Sequence, residues 1–275
     1  MTQPIPSNLP IPFLKMHGLG NDFVIIDARK SVDPMTPALA QKIGDRHKGV
    51  GFDQLAVIHP SQEAEAELIF WNSDGSTAGA CGNATRCIAS LLMEENGQTG
   101  LTLKTERGLL ACEKAGVLIR VNMGAPLLDW TQVPLSEERE TTDLPLEGTP
   151  AACSMGNPHC TYFTDDISDE TLLTVGPATE NNPLFPERTN VQLVQVLNRQ
   201  EARVRVWERG VGVTLASGSS SCAVVVNAHR RGLLDRQATL HLDGGDIEID
   251  WRDDGVWMTG ATQKVFSGTF DPSFL

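Results

Sequence analysis

"ACGNATRCIAS", residues 80–90, and "ASGSSSCAVVV", residues 216–226, are one layout written twice. Each has a small residue, a candidate nucleophile, a glycine, a run of small polar residues, and then an apolar, helix-like stretch holding a further cysteine, Cys87 or Cys222. Such a turn leaves backbone N–H groups and the positive end of the coming helix aimed at whatever sits above it. That place binds an anionic group and lowers the pKa of a cysteine set there. The copies differ at the reactive atom, which is Cys81 in the first and Ser217 in the second. One cysteine in such a segment is as readily a buried, inert thiol. The duplicated context is what points Cys81 toward chemistry, while Cys87 and Cys222 read as packing residues inside the helices.

The duplication also sets the architecture. At 275 residues the chain is long enough for two domains. Before the first turn, "FLKMHGLGNDFVIID" predicts a strand, a glycine turn over Gly18–Asn21 and a second strand, Phe23 to Asp27. "TPALAQKIGDRH" predicts a helix behind a Thr-Pro start, and "QLAVIH" and "AELIFWN" predict strands. After it, "LTLKTERGLLACEKAGVLIRVNMG" reads as a meander turning at Lys114–Gly116. Residues 126–150 are rich in Pro, Glu and Thr without periodicity, as a connection between domains would be. The second half repeats the plan: strands "AACSM" and "CTYFT", a polar Pro-rich stretch from 176 to 188, strands "VQLVQVL" and "RVRVWE", the glycine turn, a helix from about Ser219 to Arg231, and strands "ATLHLDG", "DIEIDW" and "VWMTG". Many strands with few helices in each half predict two similar α+β lobes. With the boundary near Pro126, these are residues 1–127 with 264–275, and residues 128–263. Residues 1–12 read as a Pro-rich extended arm.

Composition excludes several classes. Lys+Arg of 22 against Asp+Glu of 35 gives a net charge of −13, with no basic stripe to neutralise a phosphate backbone, so nucleic acid is not an expected partner. The opening "MTQPIPSNLPIPFLK" lacks a cationic start followed by an apolar run, and no window approaches 18 apolar residues, so a cytoplasmic protein without a membrane partner is expected. Six cysteines in a chain of this length read as reduced thiols. Neither they nor the six histidines show metal-site spacing, and no cofactor motif competes, so no metal and no cofactor is expected.

Two such turns facing each other across a cleft would hold a small anion between two helix N-termini, with one reactive side chain on either face. That suits removal of a proton from one face of a carbon and its return to the other. Further polar residues fall at strand ends: Asn157 and His159 in "GNPH", Asn190 in "RTN", Asn72 in "WNSDG", and Glu208 and Arg209 in "WERG". Turn chemistry alone accounts for any one of them, and Glu208 beside Arg209 is equally a solvated ion pair. Their shared placement suits recognition of carboxylate and ammonium groups.

These motifs resemble a known family. "KMHGLGNDFVIID", "GFDQL", "WNSDGS", "ACGNATRC", "SMGNPHC", "FPERTN" and "VRVWERGVG", in that order over about residues 13–270, are similar to the diaminopimelate epimerases, cofactor-independent enzymes that interconvert LL- and meso-diaminopimelate on the way to lysine. The resemblance implies two pseudo-symmetric lobes, each a mostly antiparallel sheet wrapped around a central helix, assembled as a homodimer, with Phe266 and the final strand as a candidate edge. It implies that Cys81 is one of two catalytic cysteines and that His159 and Glu208 set the cysteines' ionisation. It further implies that Asn21, Gln54, Asn72, Gly82, Asn83, Asn157, Asn190, Glu208, Arg209, Gly218 and Ser219 contact diaminopimelate. Ser217 departs from the family, whose second turn carries cysteine there. A hydroxyl is far less acidic than a thiol and needs a partner base, so impaired turnover is expected. A related racemase, a one-base dehydratase and a non-catalytic amino-acid-binding protein are the alternatives.

Overall fold

Each glycine turn of the repeat opens a helix that is buried along nearly its whole length, and each half of the chain is built around one of them. The computed structural model describes residues 10–275, in two compact units: residues 10–119 with 261–275, and residues 120–260. Residues 1–9 of the expected N-terminal arm lie outside the described residues. Its last part is not a free arm, because Ile11 and Pro12 already belong to a strand.

In the first unit the strands are β1 (Ile11–Gly18), β2 (Asn21–Asp27), β3 (Gln54–His59), β4 (Ala66–Asn72), β5 (Thr77–Ala78), β6 (Gly100–Thr105) and β7 (Gly108–Ala115); helix α1 (Pro37–Gly44) precedes β3, and α2 (Gly82–Asn96) precedes β6. The C-terminal strand Gln263–Phe270 pairs with β1, and the order runs on through β2, β3, β4, β6 and β7, with β5 beside β4. Only β2–β3 and β4–β6 are parallel, each spanning a helical crossover. The β1–β2 hairpin closes through Leu19 at φ 56° and Gly20 at φ 83°, the two left-handed residues that a two-residue turn of matching twist requires. In α2, Cys87, Ile88, Ala89, Leu92 and Met93 are all buried, as a helix packed on several sides must be. Gly97, left-handed at φ 67°, ends it by donating to the Met93 carbonyl.

The second unit repeats this order. Strands β8 (Leu118–Asn122), β9 (Ala151–Ser154), β10 (Pro158–Phe163), β11 (Asn190–Asn198), β12 (Glu201–Glu208), β13 (Gly212–Thr214), β14 (Gln237–Leu242), β15 (Gly245–Arg252) and β16 (Gly255–Gly260) are joined by α3 (Asp169–Glu180) before β11 and α4 (Gly218–Arg230) before β14. The sheet runs β9-β10-β11-β12-β14-β15-β16-β8 with β13 beside β12, and its parallel pairs, β10–β11 and β12–β14, correspond to those of the first unit. Helix α4 is buried from Ser220 through Ala228. Both units are α+β, with a mostly antiparallel sheet around a central helix.

Three sequence expectations need correction. The meander turn lies at Gly116 and Val117, slightly later than Lys114–Gly116. Residues 126–150 have no helix or strand but are no solvated connection: Val133, Leu135 and Leu144 are buried in the core of the second unit with Tyr162, Leu172 and Phe185. The Pro-rich stretch begins inside α3, a helix the periodicity did not reveal. Its start is encoded, since the Ser168 hydroxyl caps the Thr171 N–H and Asp169 and Glu170 fill the first turn. Pro177 obscures the rest. Gly176 lets α3 approach β12, because a Cβ there would fall 2.7 Å from the Trp207 ring.

Candidate active site

Cys81 and Ser217 are the N-cap residues of the two central helices, with closely similar backbones: φ −144°, ψ 106° for Cys81 and φ −139°, ψ 119° for Ser217. In each turn the residue four positions on ties the cap down. The Thr85 hydroxyl donates to the Cys81 carbonyl at 2.8 Å, and the Ser221 hydroxyl to the Ser217 carbonyl at 2.8 Å. The Cys81 Sγ accepts weakly from the Ala84 N–H at 3.5 Å, whereas the Ser217 hydroxyl makes no capping hydrogen bond. Gly82 with Asn83, and Gly218 with Ser219, supply the first N–H groups of the helices. These have no intrahelical acceptor and favour negative charge above them.

In the first unit the other expected residues gather at the same sheet end. Asn21 and Gln54 open the parallel strands β2 and β3, and Asn72 closes the antiparallel β4 directly opposite Gln54. Gln54 Nε2 donates to Asn72 Oδ1 at 3.1 Å, and Asn72 Nδ2 donates to the Ser76 hydroxyl at 3.0 Å. Asn83, almost fully buried, donates through Nδ2 to Asn21 Oδ1 at 3.1 Å. Asn21 Nδ2 in turn donates to Asp53 Oδ2 at 2.8 Å. Arg46 bridges Asp53 and Asp22 at 2.7 and 2.8 Å, and Asp22 also takes the buried Lys15 ammonium at 2.5 Å. Burial would raise the Asp22 pKa, but hydrogen bonds from Arg46 and Lys15, with their charges, lower it to about 2. Asp53, adjacent to Gln54 in "GFDQL", thus fixes which way the Asn21 carboxamide points, a role sequence reading did not assign.

The second unit holds the counterpart set. Asn190 opens β11 beside His159, and Glu208 closes β12. The Asn190 carboxamide works within the scaffold: Nδ2 donates to the Pro158 carbonyl at 2.9 Å, and Oδ1 accepts the Arg209 N–H at 3.0 Å. Glu208 Oε1 accepts from the Thr214 hydroxyl at 2.7 Å, and the Arg209 guanidinium donates to the Glu187 carbonyl at 3.0 Å. The turn that presents them is anchored by the buried Glu180, which accepts from Trp207 Nε1 at 2.7 Å and the Gly210 N–H at 2.8 Å. Asn157 Nδ2 donates to the Ser219 hydroxyl at 3.4 Å, and Asn157 Oδ1 meets His159 Nε2 at 3.1 Å. His159 is fully buried, with the Gln192 amide at 3.1 Å from its Nδ1. Glu180 and Gln192 were missed by sequence reading. The signal for Gln192 was a polar residue inside the apolar strand "VQLVQVL".

Cys81 is partly exposed, while Cys87, Cys112, Cys153, Cys160 and Cys222 are buried. Burial pushes Cys87, Cys112 and Cys153 up to about 12, and Cys160 higher still, which keeps these four as neutral thiols near pH 7. No group of three His, Cys, Asp or Glu side chains spaced to hold a metal ion occurs among the described residues. No helix among them is long and apolar enough to cross a membrane.

Comparison with known proteins gives this geometry a family. The diaminopimelate epimerase family model matches residues 13–128 and 151–265. A diaminopimelate epimerase of Acidiphilium cryptum is 50% identical over 270 residues, covering 96% of this chain and 98% of its own length. One of Gluconobacter oxydans is 50% identical over 264 residues, covering 95% and 99%. The chain belongs to the diaminopimelate epimerase family. The break in the family match, between residues 128 and 151, falls on the irregular segment that fills the core of the second unit. Among solved structures, a predicted epimerase of Pseudomonas aeruginosa superposes with TM-score 0.68 at 17% identity, covering 94% of this chain and 99% of that one. A hydroxyproline epimerase of Agrobacterium vitis with bound trans-4-hydroxy-L-proline gives TM-score 0.67 at 13% identity, covering 95% and 92%. At such identities these two share the fold.

Proposed function

We propose that the chain is a diaminopimelate epimerase, an isomerase interconverting LL- and meso-diaminopimelate by proton transfer at one α-carbon, and that Ser217 slows it. The carrying observation is the pair of helix N-termini with matching caps, one thiol and one hydroxyl, in a chain that the family model matches across both halves. The free N–H groups of Gly82, Asn83, Gly218 and Ser219 suit the carboxylate of an α-amino acid. The Cys81 thiolate, favoured by the positive end of α2, takes the α-proton and leaves a carbanion. Return of a proton to the opposite face falls to the Ser217 side, where a hydroxyl replaces the thiol and needs a partner to give up its proton. His159 and Glu208 tune these proton transfers, while Asn21, Gln54, Asn72, Asn157, Asn190 and Arg209 recognise the ligand's polar groups. No pyridoxal phosphate enters this reading; charge developing on the substrate carboxylate as the proton leaves would be met by the N–H groups of the helix N-termini. In this reading the enzyme is a cytoplasmic homodimer, with exposed Val265 and Phe266 on the C-terminal strand at its edge.

The test is calorimetric titration with LL- and meso-diaminopimelate beside a panel of other amino acids, with turnover followed in the same samples. Selective diaminopimelate binding with slow epimerisation is the expected result. Binding of another amino acid in preference, or water loss from the ligand, would overturn the assignment.

A further inference from the structure

The polar groups behind the Ser217 turn form one chain, fully buried through its middle, whose hydrogen-bond directions are set at its Arg230 end. Arg230 is a donor only, and its guanidinium faces Asn227 Oδ1 at 3.5 Å; the Ala151 carbonyl is an acceptor only, and takes Asn227 Nδ2 at 3.4 Å. These two contacts fix the Asn227 carboxamide so that Nδ2 donates to the Thr161 hydroxyl at 3.0 Å. Thr161, having accepted, passes its single proton to Gln192 Oε1 at 3.0 Å. Gln192 must then present its NH₂ to His159 Nδ1 at 3.1 Å and to the Ser220 hydroxyl at 3.2 Å. With Nδ1 an acceptor, the ring proton sits on Nε2, which faces Asn157 Oδ1 at 3.1 Å, and Asn157 Nδ2 continues to Ser219 Oγ at 3.4 Å. Asn227, Thr161, Gln192, His159 and Ser220 are all 0% exposed, so solvent does not reach the middle of the chain, while Arg230 at one end and Asn157 and Ser219 at the other are half-buried.

We propose that Gln192 is a positioning residue that holds His159 as the neutral Nε2–H tautomer and thereby makes the Ser219 hydroxyl a donor at the mouth of α4. Each link on the path from Arg230 through Asn227, Thr161, Gln192, His159 and Asn157 donates toward Ser219, with side branches from Asn227 to the Ala151 carbonyl and from Gln192 to Ser220. Ser219, accepting from Asn157, has its own proton free for an oxygen acceptor above the helix N-terminus, the chemistry of a carboxylate. A proton on Nδ1 would face the Gln192 NH₂ at 3.1 Å and leave the more distant Ser220 oxygen, at 3.5 Å, to accept it. The link from Ser219 to a ligand rests on the proposed epimerase reading; the tautomer itself does not.

The test uses the full chain labelled with ¹⁵N-histidine, in long-range ¹H–¹⁵N spectra near neutral pH, with the His159 signals assigned by their loss in His159→Gln. An unprotonated Nδ1 and a protonated Nε2 are expected in the parent. Gln192→Glu, close in shape, offers acceptors only when ionised, so Nδ1 must gain a proton and the signal of an unprotonated Nδ1 must vanish. The reordered chain should also weaken diaminopimelate binding about tenfold, the scale of one hydrogen bond to a charged group. Gln192→Met, which removes the donor without offering an acceptor, should leave His159 a mixture of tautomers. A proton on Nδ1 in the parent, or a Gln192→Glu variant with the parent's ring spectrum, overturns the proposal. A parent that shows the expected tautomer but ignores diaminopimelate would count against the epimerase reading alone, leaving the Gln192 assignment standing.

Discussion

Ser217→Cys should convert a slow epimerase into a fast one. The backbone of the second turn already lies close to the one that carries Cys81, with φ −139° against −144° and ψ 119° against 106°. A thiol built on it would occupy, relative to α4, the place that the Cys81 thiol occupies relative to α2. The substitution breaks no capping hydrogen bond, because the Ser217 hydroxyl makes none, and its stability cost should stay below about 1 kcal/mol. The gain is that of a positioned general acid–base, about 10²–10⁴ in rate, equivalent to roughly 3–5 kcal/mol at 1.36 kcal/mol per tenfold. Because the N–H groups of Gly218 and Ser219 are untouched, the gain should appear in kcat with KM nearly unchanged. The assay is LL-diaminopimelate in deuterated water, following deuterium entry at the α-carbon by NMR and inversion by chiral chromatography in the same samples. In the parent, deuterium entry should outrun inversion, because only the Cys81 face has a ready proton carrier; in the variant the two should rise together. A parent as fast as the variant would refute the reasoning, since some other group would then be supplying the second proton.

Three further outcomes follow from the same geometry. Cys81 should be the first thiol alkylated by iodoacetamide near pH 7, faster than a free cysteine of pKa about 8.5, and protected by diaminopimelate; peptide mapping that finds another cysteine modified first would contradict the half-site. Asp22, lowered from 3.8 to about 2, contributes stability that is complete above its unfolded value and is lost as pH falls from about 4 to 2. Discounted for solvent at the carboxylate, that is about 1–2 kcal/mol of the full shift, so urea titrations should show the gap between parent and Asp22→Asn narrowing by that amount between pH 5 and pH 2. A constant gap would mean Asp22 has no special acidity. Gly176→Ala, which places a Cβ 2.7 Å from the Trp207 ring, should cost about 1–3 kcal/mol and lower Tm by roughly 2–4 °C per kcal/mol; an unchanged melting curve would show that α3 can lift from β12 freely.

What could be read from the sequence was whatever is written locally. Strand alternation, the Gly20 turn and the glycine-led helix starts are short-range signals, and the strands and central helices stand where those signals put them. Helix α3 escaped because its stabilisation is tertiary: Gly176 and Pro177 look like a loop until Trp207 of β12 is laid against them. Residues 126–150 escaped for the same reason, since Val133, Leu135 and Leu144 carry no period and are recognisable as core only once their neighbours are known. Asn72, Asn157, Asn190, Glu208 and Arg209 do stand at or beside strand ends, where the strand pattern put them; their part in ligand recognition was implied by the family resemblance and belongs to the proposed function. The groups that aim them, Asp53, Glu180 and Gln192, were not legible, because each acts through a partner distant in sequence.

The duplication explains why so much of the scaffold could be read from the sequence. Gln54 and Asn190 open equivalent parallel strands, Asn72 and Glu208 close the equivalent neighbours, and Cys81 and Ser217 cap the equivalent helices. One scaffold position therefore carries an amide in one unit and an acid in the other, and another carries a thiol and a hydroxyl. Such exchanges leave the fold intact because the N-cap needs only a side chain that tolerates extended φ and ψ, which serine satisfies at least as well as cysteine. Folding thus places no demand on the atom at position 217, while proton transfer places a large one. A Ser217→Cys protein whose melting temperature stays within about 2 °C of the parent's, while its kcat rises by orders of magnitude, would separate those two demands in one molecule.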